Sequence, residues 1–303
     1  MAMKKDTPLT RRGFLAGTAC ASPLGPAAAQ PAWRPLFDGE TLDGWRAIHR
    51  LPVSRIPGGR SPGKDSPQYQ KSRRIKGDWK VGDGAITGGQ EPPGSGVGGY
   101  LITDEKFADF ELSLEANPDW GVDTGVMIRA TGLGSQGFQV LVDHREGGNI
   151  GSFYGNGIGG FNTRQFGFNA KKDSRGEAVG MIPVAYQDLS PQPDPGKSAA
   201  TWSAGPDAFF ETWRFGEWNE IRIRCKGPLP MLTTWINGKK MASADAAKMV
   251  ADGYDAEAVA KLLGRAGHVA LEVHNSGQGD RLGAERWLHG RVCRWRRIRV
   301  REL

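Results

Sequence analysis

The side chains with chemical reach in this sequence are carboxylates, arginines and histidines at alternate positions of short apolar runs. Alternate residues of a strand share one face, so parity sorts them. Glu111, Ser113 and Glu115 stand opposite Phe110, Leu112 and Leu114. In the run 125–130, Val126, Ile128 and Ala130 are expected inward, which sends Met127 and Arg129 to the polar side. Glu272 and His274 share a face opposite Leu271 and Val273. Three strands thus each expose a carboxylate, a guanidinium or an imidazole away from the core. One sheet face lined with acids, a base and aromatic rings suits a sugar-binding cleft. The run 137–144 leaves two arrangements open: either Gln139 and Asp143 point outward together, or Val140, Val142 and His144 do. If Asp143 lies past the strand end, both it and His144 reach the cleft.

Other chemistries find less support. His144, His274 and the nearby carboxylates are competent metal ligands, yet no two sit at a recognised ligand spacing. The sequence has no G-x-S-x-G elbow, no Walker loop, no dinucleotide fingerprint opening a helix and no H-E-x-x-H. The glycine-rich run 155–160 follows Phe153-Tyr154 and precedes no helical pattern, so it is expected to form a turn near the cleft rather than a phosphate loop. Hydrolysis of an unoxidised glycan would need an acid pair. Glu111 and Glu115 lie four residues apart on one strand, about 13 Å at ~3.3 Å per residue, wider than the ~9.5 Å limit for an inverting pair. An E-x-D-x-x-E catalytic strand is also missing, since Gln139 stands where an acid would be wanted.

The elements that must position these residues read as antiparallel β structure. Short alternating or apolar runs sit between Gly, Pro, Asp and Asn clusters. Strands are expected over 79–81, 85–87, 110–116, 125–130, 137–143, 219–225, 231–236, 268–274 and 293–301. Gly82-Asp83-Gly84 and Asn237-Gly238 are tight hairpin signals. One helix is expected, over 256–263, with Val259, Leu262 and Leu263 on one face and Gly264 as its stop. Two stretches leave the sheets: 52–74, rich in Pro, Gly, Ser and basic residues, and 164–215, with five prolines. Loops of this length sit at the rim of a binding face in a sandwich. The second holds Tyr186, Trp202, Phe209, Phe210 and Trp213. These rings either meet substrate or anchor the loop to the sandwich. Glu111, Glu115, Gln139, Tyr154, Trp202 and Trp213 are the candidate substrate contacts.

Composition fits a folded chain with a real core: 303 residues, 38% hydrophobic and 24% charged, with three cysteines. That excludes a disordered tail protein and a disulfide-stapled scaffold. The net charge is +7, but the first 29 residues hold four basic side chains and one acid, which leaves +4 on the rest. Nucleic acid is therefore not an expected partner, and the alternating arginines between 291 and 301 read as the solvent face of a strand. Residues 1–29 carry Arg11-Arg12-Gly13-Phe14-Leu15, a weakly apolar stretch and Ala27-Ala28-Ala29, which is the pattern of a twin-arginine export signal. Expected partners are then the export machinery and a carbohydrate. The mature chain is expected in the periplasm or secreted, without stable membrane insertion, since Pro23 and Pro26 interrupt a run far below the ~20 apolar residues of a span. Cys20 lacks the branched aliphatic residue expected three places before a lipoprotein cysteine. Cys225 and Cys293 either bridge in an oxidising compartment or stay as two core thiols.

A series of motifs resembles the 3-keto-disaccharide hydrolase family, long known as a domain of unknown function. The opening Trp33-Arg34-Pro35-Leu36-Phe37-Asp38-Gly39-Glu40-Thr41-Leu42-Asp43-Gly44-Trp45 is followed by Gly77-Asp78-Trp79-Lys80-Val81-Gly82-Asp83-Gly84. Phe107-Ala108-Asp109-Phe110-Glu111-Leu112, Asp123-Thr124-Gly125-Val126-Met127-Ile128-Arg129, Gly216-Glu217-Trp218-Asn219 and Thr234-Trp235-Ile236-Asn237-Gly238 come next, and 297–303 closes the series. The resemblance covers residues 33–303 and implies an all-β, concanavalin A-like jelly roll of two antiparallel sheets, with the 164–215 insertion setting this chain apart from shorter members. It also implies cleavage of glycosides already oxidised at C3. A C3 ketone acidifies the C2 proton, so one base removes it, the group on C1 departs, and water adds back. Such a reaction needs a base and a cation to hold the enolate. His274 with Glu272 beside it, or His144 with Asp143, would supply the base; Arg129 or a bound divalent cation would hold the enolate. Non-catalytic carbohydrate binding and hydrolysis of unoxidised glucan are the competing readings.

Overall fold

The alternation that sorts residues by face does build sheets that bury one side of each strand. The computed structural model describes residues 1, 31–184, 201–276 and 286–303. The export pattern with Arg11, Arg12, Cys20 and Ala27–Ala29, and Tyr186 of the insertion, lie outside the described residues. Residues 31–303 form one unit. In chain order it contains β1 (Arg34–Pro35), β2 (Trp45–His49), α1 (Pro67–Ser72), β3 (Asp78–Gly82), β4 (Ala85–Gly89), β5 (Gly99–Thr103) and β6 (Phe110–Pro118). Next come β7 (Gly125–Ala130), β8 (Gly137–Val142), β9 (Ile150–Asn156), β10 (Gly167–Lys172), β11 (Ala178–Val184), β12 (Thr201–Ser203) and α2 (Pro206–Phe210). The chain ends with β13 (Asn219–Lys226), β14 (Met231–Ile236), β15 (Lys239–Asp245), α3 (Ala256–Leu263), β16 (His268–Val273) and β17 (Val292–Glu302).

Two antiparallel sheets stack as a jelly-roll sandwich. One has the order β12-β15-β14-β13-β6-β17-β4-β3, with β1 also paired to β17; the other runs β2-β5-β16-β7-β8-β9. Phe110, Leu112 and Leu114 of β6 and Ile221 and Ile223 of β13 meet Val126, Ile128, Val140, Leu271 and Val273 of the smaller sheet in one fully buried core. Each such side chain contributes about 1.5–3 kcal/mol by leaving water. Both expected hairpins form. Asp83 and Gly84 between β3 and β4, and Asn237 and Gly238 between β14 and β15, take positive φ, as a two-residue turn between right-twisted strands demands.

The expected helix is α3, capped by Asp255 and stopped by Gly264 at φ 65°. Two shorter ones, α1 and α2, begin with proline and fall within the stretches expected as loops. The 164–215 stretch also carries the β10–β11 hairpin, a separate two-stranded sheet, and β12. Among the described residues no helix is long and apolar enough to cross a membrane.

Cys225 and Cys293 are both free and buried. They face Phe110 and Pro118, at opposite ends of β6. Eight residues of strand, roughly 26 Å, separate them, against the ~7 Å that a disulfide spans between Cα atoms. Burial drives the Cys225 thiol up to about 12.

Candidate functional site

The functional side chains gather on the face of the smaller sheet turned away from the core. Its central strand β16 pairs Glu272 with Tyr100 of β5. On the other side of β16, Met127 of β7 faces Ala270, and β8 sets Gln139 between Met127 and Tyr154 of β9. Parity on β8 takes the first of the two open arrangements: Val140 and Val142 enter the core while Gln139 looks out.

Glu272 is fully buried, and three hydrogen-bond donors surround it. Its Oε1 accepts from Arg50 Nε at 2.7 Å and from the Tyr100 hydroxyl at 3.1 Å; Oε2 accepts from Gln139 Nε2 at 2.5 Å. Asn156 Nδ2 donates to the same Tyr100 hydroxyl at 3.3 Å. With both oxygens engaged, this carboxylate serves as an anchor. It holds the half-buried Arg50 guanidinium at the rim of the face.

His274 continues the parity of Glu272 just beyond the end of β16. Its Nδ1 lies 2.6 Å from the Asn275 carbonyl, so Nδ1 donates and Nε2 keeps the lone pair. Burial, followed by the charge of Arg50, lowers its pKa to about 4, against the opposite pull of Asp123 and Glu272. The imidazole is neutral throughout the physiological range.

A carboxyl pair completes the cluster. Burial opposes charge on Asp123, but His274, Arg145 and Arg286 outweigh it and hold the group well below the usual carboxylate range. Arg145 Nε and Arg286 Nη1 donate to its Oδ2 at 2.9 and 2.6 Å. Asp143 moves the other way: burial and the neighbouring negative charge of Asp123 raise its pKa. Two carboxyls sharing a site cannot both ionise easily, so Asp143 keeps the proton.

Long loops close over this face. Ser135 Oγ donates to the Leu51 carbonyl, and Arg55 Nε to the carbonyl of Gly159. The 52–74 stretch and the 155–160 turn therefore lie together beside the cluster, where a rim was expected.

The structure brings Glu272, His274, Gln139, Tyr154 and Asp143 together, and sends the remaining candidates elsewhere. Arg129 is the largest departure. Between His268 and Ala270 the register with β7 slips by one residue, and Arg129 takes φ 50° as the extra residue of a bulge. Met127 and Ala130 consequently share a face, and the alternation that would have exposed Arg129 is broken. Its guanidinium, 1% exposed, instead donates to the Ala108 and Gly227 carbonyls, both at 2.9 Å, and to Asp109. The bulge requires Gly267, where a Cβ would stand 2.5 Å from the Arg129 backbone.

His144 follows Val142 inward, among the rings of Trp120, Phe168, Trp213 and Phe215. Burial lowers its pKa to about 4 as well, against the opposite pull of the Asp119 carbonyl and carboxylate. Trp213 is buried and stacks on Phe209, so it anchors the insertion. Trp202 lies on the edge strand β12 of the larger sheet, its ring covered by Lys240. Glu111 and Glu115 stand on the outer face of that same sheet. Glu111 is held by Arg224 and Arg301, and Glu115 by Arg296 and Arg297. Neither is a free acid. Among the described residues no three His, Cys, Asp or Glu side chains come together as a metal site.

Arg50, Tyr100, Asp123, Arg145, Asn156 and Arg286 escaped sequence reasoning. Tyr100 carried the one usable signal, a single polar hydroxyl inside the apolar run Gly99-Tyr100-Leu101-Ile102. The arginines come from loops, where parity says nothing.

Residues 32–301 match the sequence profile of the 3-keto-alpha-glucoside-1,2-lyase-like domain. No curated relative matches the chain. Among solved structures, two candidate glycosyl hydrolases from Parabacteroides distasonis align over 89% and 90% of this chain and 94% and 100% of their own, at 13% and 18% identity, each with a TM-score of 0.45. An endo-acting O-glycanase of the human gut microbiota aligns over 91% of this chain and 100% of its own, at 10% identity and a TM-score of 0.45.

Proposed function

The chain belongs to the 3-keto-alpha-glucoside-1,2-lyase-like domain family, and we propose that it cleaves glycosides oxidised at C3 by elimination across C1 and C2 followed by hydration. One observation carries the assignment of roles. Two groups that both interact with Asp123 have their proton affinities pushed apart, His274 down and Asp143 up, which is how a site keeps a base and an acid ready at the same pH.

His274 Nε2 takes the C2 proton. The C–H electrons become the C2–C3 double bond of an enolate, whose oxygen faces the Arg50 guanidinium. Those electrons return to form C1=C2 as the C1–O bond breaks, and Asp143 gives its proton to the departing oxygen. Water then adds, its hydroxyl to C1 and a proton from His274 to C2, while Asp143 recovers the other proton. Both groups end as they began. A base of lowered pKa is weak, but it is unprotonated at neutral pH, and the ketone with Arg50 supplies the acidity that the base lacks. Glu272 positions Arg50 and Tyr100 and touches no reacting atom. Asp123 keeps the proton on Asp143.

The test is to incubate purified protein with matched 3-keto and unmodified disaccharides in D2O, with and without chelator. Cleavage of the keto sugar alone, with deuterium at C2 of the product, is expected. Equal cleavage of the unmodified sugar, or product without C2 deuterium, would overturn the elimination.

A further inference from the structure

The outer face of the larger sheet carries charge that the proposed reaction does not use. All five arginines of β17 between 294 and 301, with Arg222 and Arg224 of β13, stand around Glu111, Glu115 and Glu220. Seven cations stand against these three acids and Asp119, which Arg294 holds, an excess of three.

This surface is also shaped. Two adjoining open cavities of about 820 and 490 Å³ share Glu115, Glu220 and Arg297 and so form one groove. Trp218 stands along one part and Trp33 along the other. Arg297 holds φ 51°, a conformation that a long side chain rarely adopts, at the register shift between Arg296 and Arg299. The bulge turns an extra guanidinium, 71% exposed, into the groove. Arg214, on the same wall, has no carboxylate partner among the described residues.

The tryptophan faces are already occupied. Arg296 lies 4.1 Å from the Trp218 ring centre, and Arg299 and Arg301 lie over Trp33. Arg296 and Arg301 already donate to Glu115 and Glu111, whereas Arg297 and Arg299, 71% and 50% exposed, keep N–H groups turned to water that match carboxylates. We propose that this groove binds an acidic polysaccharide through its carboxylate groups, apart from the His274 cluster. The choice of a sugar polymer rests on the carbohydrate reading above; the charge and the groove do not.

The experiment measures binding of polygalacturonate by the full chain at 50 and 150 mM salt, beside neutral laminarin, a 20-base-pair DNA duplex and vesicles of anionic lipid. Polygalacturonate is expected to bind tighter than the other three and to weaken with salt. An Arg297→Asn/Arg299→Gln double variant should weaken it by about tenfold, two surface charge contacts at ~0.7 kcal/mol each. Asn tolerates the positive φ at 297. A second pair, Arg214→Gln/Arg299→Gln, lines the same groove, leaves the bulge at 297 intact and guards against local misfolding of the first. Tighter binding of DNA or vesicles, equal binding of laminarin, or no loss in either variant overturns the proposal. Turnover of a soluble 3-keto disaccharide should be unchanged in both variants. Loss of keto-sugar cleavage by the unaltered protein would strike the proposed reaction and leave the groove standing.

Discussion

The two outward faces of the sandwich are built from the same residue types, arginine beside carboxylate, and behave differently because one is covered. On the larger sheet, Glu115 meets Arg296 and Arg297, the second 71% exposed, and such pairs are worth little. On the smaller sheet, Asp123 and Asp143 lose almost all contact with solvent, and the charges around them move their proton affinities in earnest. Cover, more than composition, separates a charged surface from a chemical site.

That contrast can be tested from its strongest consequence downward. Replacing His274 by Ala should lower turnover of a 3-keto disaccharide by about 10²–10⁴. Glu115→Gln, on the open face, should leave that turnover where it was; comparable losses in the two variants would erase the distinction.

Stability should divide in the same way. Glu272→Ala strands Arg50, Tyr100 and Gln139 without their shared acceptor and should cost about 3–5 kcal/mol, read as a fall in denaturation midpoint. Glu115→Ala releases Arg296 and Arg297 toward water and should cost less.

The pH dependence follows from His274. Its pKa is about 4 in the fold against 6.5 for the free group, so the unfolded chain binds the extra proton between those values. The contribution of this group is full above pH 6.5 and is lost as pH falls toward 4. The acid limb of kcat/KM should therefore centre near 4; a limb near 6.5 would remove His274 as the base. Asp143→Asn should abolish the alkaline limb, since the raised carboxyl must stay protonated to act. The smallest effect is expected at Trp202. Trp202→Ala, on the exposed edge, should shift stability by no more than about 0.5 kcal/mol.

Parity made much of this legible before any coordinates. It placed Glu272 with His274, separated Glu111 and Glu115 from their apolar neighbours, and offered Gln139 with Asp143 as one of two arrangements. Parity names a face without saying which sheet owns it, and so Glu111 and Glu115 joined a cleft on the far side of the molecule. It also fails wherever a residue is inserted. The bulge at Arg129 has no mark in the local pattern, and its cause, the missing side chain at Gly267, is 138 residues away. Arg50, Arg145 and Arg286 come from segments without regular alternation, where only tertiary packing decides direction.

The thiols at opposite ends of β6 carry a last consequence. No covalent staple joins the described strands, so the sandwich can reach its shape equally well with reductant present or absent. Dithiothreitol should therefore leave its melting temperature unmoved.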